Sequence, residues 1–376
     1  RMHVRNPGKP HLLEIDYPTD QRRRFLISVL EQKAAGRSRN SVDLGIVSDA
    51  PRKKETRGFQ TKRIVFWPTT NRPAIAFVNT LKGSNAAIHS LRLYELPHGL
   101  AINGNNLYPN DVPAMRGPYF EEAQFQHILG GAEATDPGME YAGITRPDWK
   151  SYYDAINHLC QLIRYRGENA VMSVVYAYGA TLYPSKLLKN NGRYDDGMNF
   201  RDGRDPVQKD IVRLMLRLFE RYNITFIPTF SFYSRIASLE EAYPPDNYGR
   251  REIDLINSAG RSARHSLKAK SGGIAAPFYN PLHTAVQRQV KSVLKEFVSR
   301  YKDSKALGDI AIQLNTTGWL QFPGLDWGYD LPTVKTFLTA KQIDIPKILD
   351  NENAYRKRHV FLNTEPIKSS WIQWRN

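Results

Sequence analysis

Apolar positions recur with two different periods along this chain, and the change falls near residue 100. Before it they alternate. Leu13, Ile15 and Tyr17 share one side of residues 11–17, and Phe25, Ile27 and Val29 repeat the pattern. One apolar side chain at every second position marks a strand with one buried face. Residues 64–67, 74–78 and 91–96 are further short strand candidates, separated by Pro, Gly, Asn and basic clusters. Short strands at close spacing, without helical stripes, predict an antiparallel β-sandwich over residues 1–100. Arg22, Arg23 and Arg24 read as edge charges that discourage pairing between sheets.

Residues 101–124 are rich in Pro, Gly and Asn and read as a linker. Residues 125–129 are a first strand candidate, closed by Gly130-Gly131. From there the apolar period becomes helical. Trp149, Tyr152, Ile156, Leu159 and Ile163 form a stripe after a capping box at Thr145-Arg146-Pro147-Asp148, and a strand follows at 170–178. Asp205-Pro206 opens the next helix, with Val207, Ile211, Leu214, Leu218 and Tyr222 on one face, before a strand at 224–232. Asn280-Pro281 supplies a cap and a first helical position for Val286, Val290, Val293, Phe297 and Tyr301. The apolar run 310–315 then predicts a strand buried on both faces, followed by an aromatic loop at 316–330 and a helix from Pro332.

Three helix–strand units with long, uneven loops after their strands predict a (β/α)8 TIM-type barrel whose ligand site lies at the carboxyl ends of the strands. Only about four strands are countable where a closed barrel has eight. Residues 125–376 therefore read as the first half of a truncated barrel, with the apolar helix around Trp371 and Trp374 cut short.

Composition narrows this picture only slightly. The 376 residues carry 53 Lys and Arg against 37 Asp and Glu, a net charge of +16. A surplus of that size suits nucleic acid, an anionic membrane, an acidic polysaccharide or a plain basic surface. The basic clusters are scattered and no nucleic-acid module accompanies them, so no nucleic-acid partner is expected. No run is long enough to span a membrane, and no signal peptide is visible. The single cysteine, Cys160, lies on a helical stripe and reads as a small core residue. His265 and His283 have no second ligand at metal spacing, so neither metal nor cofactor is expected.

Several longer motifs carry a family resemblance. Leu182-Tyr-Pro-Ser185, Asp202-Gly-Arg-Asp-Pro206, Tyr279-Asn-Pro-Leu282 and Leu320-Gln-Phe-Pro-Gly-Leu-Asp-Trp327 resemble glycosyl-hydrolase-10-like proteins of planctomycete type. So do the openings His11-Leu-Leu-Glu-Ile-Asp-Tyr-Pro18 and Glu31-Gln-Lys-Ala-Ala-Gly36. The resemblance implies a β-sandwich before a (β/α)8 barrel that acts on glycosidic bonds. It implies an Asn-Glu pair ending the fourth strand, where this chain has Asn315-Thr316. It also implies carbohydrate as partner, and secretion or the cell envelope as location.

Glycoside hydrolysis needs two carboxyl groups flanking the scissile bond. Rim candidates are Glu133, Asp202, Asp205 and Asp326. Asp205 is also explained as a helix cap and Asp202 as a turn residue. Leu325 and Trp327 would give Asp326 the apolar surroundings of a general acid. Tyr183, Asn315, Trp319, Gln321 and Trp327 are candidate sugar contacts, since flat rings with polar tips suit sugar faces. Tyr176, Tyr178, Phe232, Tyr233, Phe322 and Tyr329 fall at the same rim, with Tyr176 and Phe232 assigned to the core. Between residues 250 and 270 six basic residues, Arg261 and Arg264 among them, face Glu252 and Asp254. That surplus points to an acidic or sulfated polysaccharide. The expectation is thus a glycoside hydrolase; the alternative is a non-catalytic carbohydrate-binding protein on a degenerate barrel.

Overall fold

A computed structural model describes residues 2–32, 38–48, 58–83, 85–100, 114–121, 129, 140–141, 144–145, 149–188, 208–262, 279–314, 318–322 and 324–375. The first part is all strand: β1 (His11–Pro18), β2 (Arg23–Gln32), β3 (Ser38–Ser48), β4 (Phe59–Phe66), β5 (Ala74–Asn79) and β6 (Ser90–Glu95). They form two antiparallel sheets of order β4-β1-β6 and β3-β2-β5. The predicted alternation sets the packing. Leu13, Ile15, Tyr17 and Phe66 from one sheet meet Phe25, Ile27, Val29 and Ile46 from the other in one buried cluster.

Two details differ from the sequence reading. β3 was not anticipated, although Val42, Leu44 and Ile46 alternate within it. The arginines at 22–24 do not guard an edge, because β2 lies in the middle of its sheet. Arg23 is buried there; it is bound to Asp20 at 2.9 Å and to the Asn85 carbonyl at 2.6 Å.

The second part opens with β7 (Tyr119–Phe120), inside the stretch read as linker. β8 (Glu140–Tyr141) and β9 (Ile144–Thr145) form a small hairpin before α1 (Trp149–Tyr165). Then come β10 (Ala170–Ala177), β11 (Ala180–Thr181), α2 (Ile211–Tyr222), β12 (Thr225–Phe230), α3 (Ala237–Ala242), α4 (Thr284–Tyr301) and β13 (Ala311–Ile312). Three further helices follow: α5 (Leu331–Ala340), α6 (Tyr355–Leu362) and α7 (Ile367–Arg375). The parallel path is β7-β10-β12-β13, with β11 antiparallel on β10.

β7 holds its place through Gly117. A Cβ there would lie 1.6 Å from the Ala170 carbonyl oxygen, so only glycine permits this approach. The Arg116 carbonyl accepts from the Ala170 N–H, and the Pro118 carbonyl from the Met172 N–H. The candidate strand at 125–129 lies outside the described residues except for Leu129, which is buried.

Helix starts also shifted. Asp210, not Asp205, caps α2 by accepting from Arg213 N–H at 2.9 Å. His283 caps α4, and Asn280 is a buried tie instead. Its Nδ2 donates to Asp330 Oδ1 at 3.1 Å and to Thr333 Oγ1 at 2.8 Å, pinning the start of α5. The run 310–315 is not buried on both faces. Only Ala311–Ile312 pairs, and Ile312 and Leu314 are exposed.

The two parts touch through Trp67, which follows β4 and joins the larger core. Its ring stacks on His158 of α1 with centroids 4.5 Å apart.

Candidate functional site at the carboxyl ends of the parallel strands

The first residue past each parallel strand is Glu121, Tyr178, Ser231 and Gln313 in turn. Two of these make a contact across the carboxyl-end rim, the region called the cup below. Gln313 Nε2 donates to Glu121 Oε1 at 3.4 Å, linking the ends of β13 and β7. Phe120 lies opposite Ser173, four residues before β10 ends at Ala177. Glu121 therefore lies further back along β10 than Tyr178, and both side chains are exposed.

Tyr178 is held there by an uncommon turn. It and Gly179 are the two central residues of the hairpin joining Ala177 to Ala180, with φ of 54° and 72°. Positive φ at both positions defines a type I′ turn, which favours Asn or Gly at the first. A tyrosine there carries strain of about 1–3 kcal/mol, and such strain clusters at functional sites. Its backbone N–H donates to the Tyr233 hydroxyl at 2.9 Å, and the two rings meet edge-on with centroids 5.1 Å apart. The Tyr178 ring is thus exposed and yet fixed at both its backbone and its ring.

The other candidates are spread more widely than their spacing suggested. Tyr183 is fully buried against Phe297 and Tyr301, and burial pushes its phenol pKa up. Trp319 is also fully buried. Its Nε1–H donates to the Ser234 carbonyl at 3.2 Å, and its ring packs on Phe232 and Tyr279. Both serve the core, because the loops carrying them fold back over α4 and over the residues after β12. Tyr176 and Phe232 are core residues as well.

Gln321 and Trp327 are half-buried, and Trp327 bridges Asn257 through the backbone. Asp326 and its neighbour Leu325 are exposed, so the apolar enclosure expected around Asp326 is absent. Arg261 is exposed. Glu133, Asn315, Arg264, Asp202 and Asp205 lie outside the described residues.

The basic loop is less charged than its local count implied, because its counter-ions sit upstream. Arg250 pairs with Asp246 at 2.9 Å, and Arg251 with Glu240 at 3.3 Å. Glu121 was missed because it falls in Pro- and Gly-rich surroundings, with only Tyr119-Phe120 to signal a strand. Among the described residues no three His, Cys, Asp or Glu side chains gather as a metal site, and no helix is long and apolar enough to cross a membrane.

The family model described as Glycosyl hydrolase-like 10 matches residues 142–376, more than half of the chain. The chain belongs to the glycosyl hydrolase-like 10 family. The matched region holds α1 and everything after it, including Tyr178, Tyr233 and Gln313 of the cup; Glu121 precedes it. A comparison with curated proteins finds no match. Among solved structures, the chain is similar to an α-L-fucosidase GH29 from Bacteroides thetaiotaomicron at 12% identity and a TM-score of 0.25, over 58% of this chain and 44% of that one. It is similar to a bacterial fucosidase with a monovalent iminocyclitol inhibitor at 13% identity and a TM-score of 0.25, over 58% and 45%. The match thus spans less than half the length of either structure.

Proposed function

We propose that this glycosyl hydrolase-like 10 protein binds a polysaccharide in the cup and hydrolyses its glycosidic bonds, on a β-sandwich followed by a (β/α)8-type barrel. The observation that carries the reading is Glu121. Among the described residues it is the one carboxylate that directly follows a parallel strand, and Gln313 holds it from across the sheet. The position is the one where barrel enzymes place their chemistry.

In this reading Glu121 is one of the two carboxyl groups that hydrolysis requires, and Glu133 and Asp326 are the candidates for the second. A separation of about 5–5.5 Å between the pair would give retention, and about 6.5–9.5 Å inversion. Tyr178 and Tyr233 orient the sugar at the rim.

The substrate is an acidic or sulfated polysaccharide, with Arg261 and Arg264 gripping its anionic groups. Guanidinium groups bind carboxylate and sulfate through paired hydrogen bonds. The test is binding of alginate, carrageenan and neutral xyloglucan across a salt series. Tighter binding of the two anionic glycans, weakened by salt and by Arg261→Ala with Arg264→Ala, supports the anionic substrate. Equal affinity for all three removes it. Binding without any release of reducing ends would instead favour a non-catalytic carbohydrate-binding protein.

A further inference from the structure

The loop after α3 carries Tyr248, at 78% accessibility the most exposed large hydrophobic side chain among the described residues. An aromatic ring that exposed is ordinarily loose, yet the backbone beneath this one is fixed and one of its faces is supported. Asp246 Oδ1 accepts from the backbone N–H groups of Tyr248 and Arg250, at 2.9 and 2.8 Å. The Asp246 N–H donates to the Arg250 carbonyl at 2.7 Å, and Gly249 N–H to the Asp246 carbonyl at 2.8 Å. Gly249 has φ of 71°, which lets the turn close so tightly.

The Arg250 guanidinium supports the ring from below, 4.8 Å from its centroid. That guanidinium cannot swing away. Its Nε donates to Asp246 Oδ2 at 2.9 Å, and its Nη1 donates to the Gly260 carbonyl at 3.4 Å and to the Tyr355 hydroxyl at 3.2 Å. One face of Tyr248 therefore rests on a clamped cation, and the ring is otherwise open to solvent.

We propose that Tyr248 is a sugar-stacking subsite that holds one pyranose ring of the polysaccharide away from Glu121. This rests on the carbohydrate reading above. Topology supports the placement: the loop follows β12, so it rises from the carboxyl side of the sheet, where the cup lies. It is also stitched to the loop after β13, through the Asn257–Trp327 bridge and the N–H groups of Gly328 and Tyr329, which donate to the Ile256 carbonyl at 3.0 Å.

The chemistry supports the ligand class. The apolar C–H face of a pyranose packs on an aromatic face, and a ring already fixed loses little entropy on binding. In this proposal a long glycan occupies cup and loop together, and a small aryl glycoside reports on the cup alone.

The test uses the full chain with Tyr248→Ala, Tyr248→Phe and Tyr248→Trp. Binding to alginate, carrageenan and xyloglucan is read by affinity electrophoresis, and hydrolysis of a small aryl glycoside is read in parallel. Because Tyr248 is exposed, all three variants should keep the wild-type melting temperature. The subsite predicts that Tyr248→Ala weakens binding of the bound polysaccharide by about tenfold. Phe and Trp retain it, and aryl-glycoside turnover is unchanged. Undiminished binding by Tyr248→Ala overturns the subsite and leaves the cup reading intact. Failure of the wild type to bind any of the three glycans overturns the carbohydrate reading, and the subsite with it.

Discussion

Gln313 Nε2 lies 3.4 Å from Glu121 Oε1, although the two residues follow strands at opposite ends of the path β7-β10-β12-β13. Three strand spacings in a flat sheet cover about 14 Å, more than two side chains standing off that sheet would bridge. The segments that follow β7 and β13 therefore converge at the carboxyl side of the sheet. Replacing Gln313 by Ala should cost less than about 1 kcal/mol of stability, since one long hydrogen bond is lost. It should lower glycan turnover, because Glu121 loses its cross-sheet partner. Thermal melts and a reducing-end assay read the two effects separately.

Asp330 predicts an unusual pH dependence. Burial pushes its carboxyl above the ordinary range, and Oδ2 has no hydrogen-bond partner. Oδ1 caps α5 through the Thr333 N–H and accepts from Asn280. A folded pKa above the unfolded value stabilises the fold fully below the unfolded pKa of about 4, and that contribution is lost as pH rises through the folded pKa. Asp330→Asn keeps the capping oxygen and removes the buried ionisable group. The variant should be more stable at pH 7 by on the order of 1 kcal/mol, with the gain vanishing near pH 4. Denaturant melts at both pH values check this; no gain at pH 7 would contradict it.

Trp319 separates core from cleft. As a fully buried side chain packed on Phe232 and Tyr279, it should cost about 3–5 kcal/mol on replacement by Ala. Trp319→Phe should fold and bind glycan as the wild type does. A stable Trp319→Ala protein with lost glycan affinity would return Trp319 to the binding surface.

Cys160 should be silent in the native state. It is fully buried on α1, and burial pushes its thiol pKa up, which suppresses the reactive thiolate. A thiol reagent should label no cysteine in the folded protein and one after denaturation. Rapid labelling of the folded protein would contradict the packing of α1.

Periodicity made the strands of the first 100 residues other than β3 legible, and the apolar faces of α1, α2 and α4, although Trp149 of α1 is exposed. Leu13, Ile15, Phe25 and Ile27 are buried as their alternation requires, as are Val286, Val290, Val293 and Phe297 on α4. Helix caps were less legible, since Asp205 before Pro206 and Asp210 offer the same side chain, and tertiary contacts choose between them. Asp210 also accepts from the Tyr301 hydroxyl at 2.6 Å, a contact no local pattern contains. The site was hardest to read. Glu121 follows a two-residue strand placed by Gly117, and Arg250 is neutralised by an aspartate just outside the window counted for charge. Trp319 and Tyr183 looked like cleft aromatics because composition cannot tell a loop that lines a cleft from one that folds over a core.

The most direct measurement compares wild type and Glu121→Gln for release of reducing ends from a polysaccharide that both bind. Loss of a positioned acid–base carboxylate lowers turnover by about 10²–10⁴. A loss of that size is expected in Glu121→Gln, with glycan affinity and melting temperature unchanged. Hydrolysis by Glu121→Gln at the wild-type rate would contradict it.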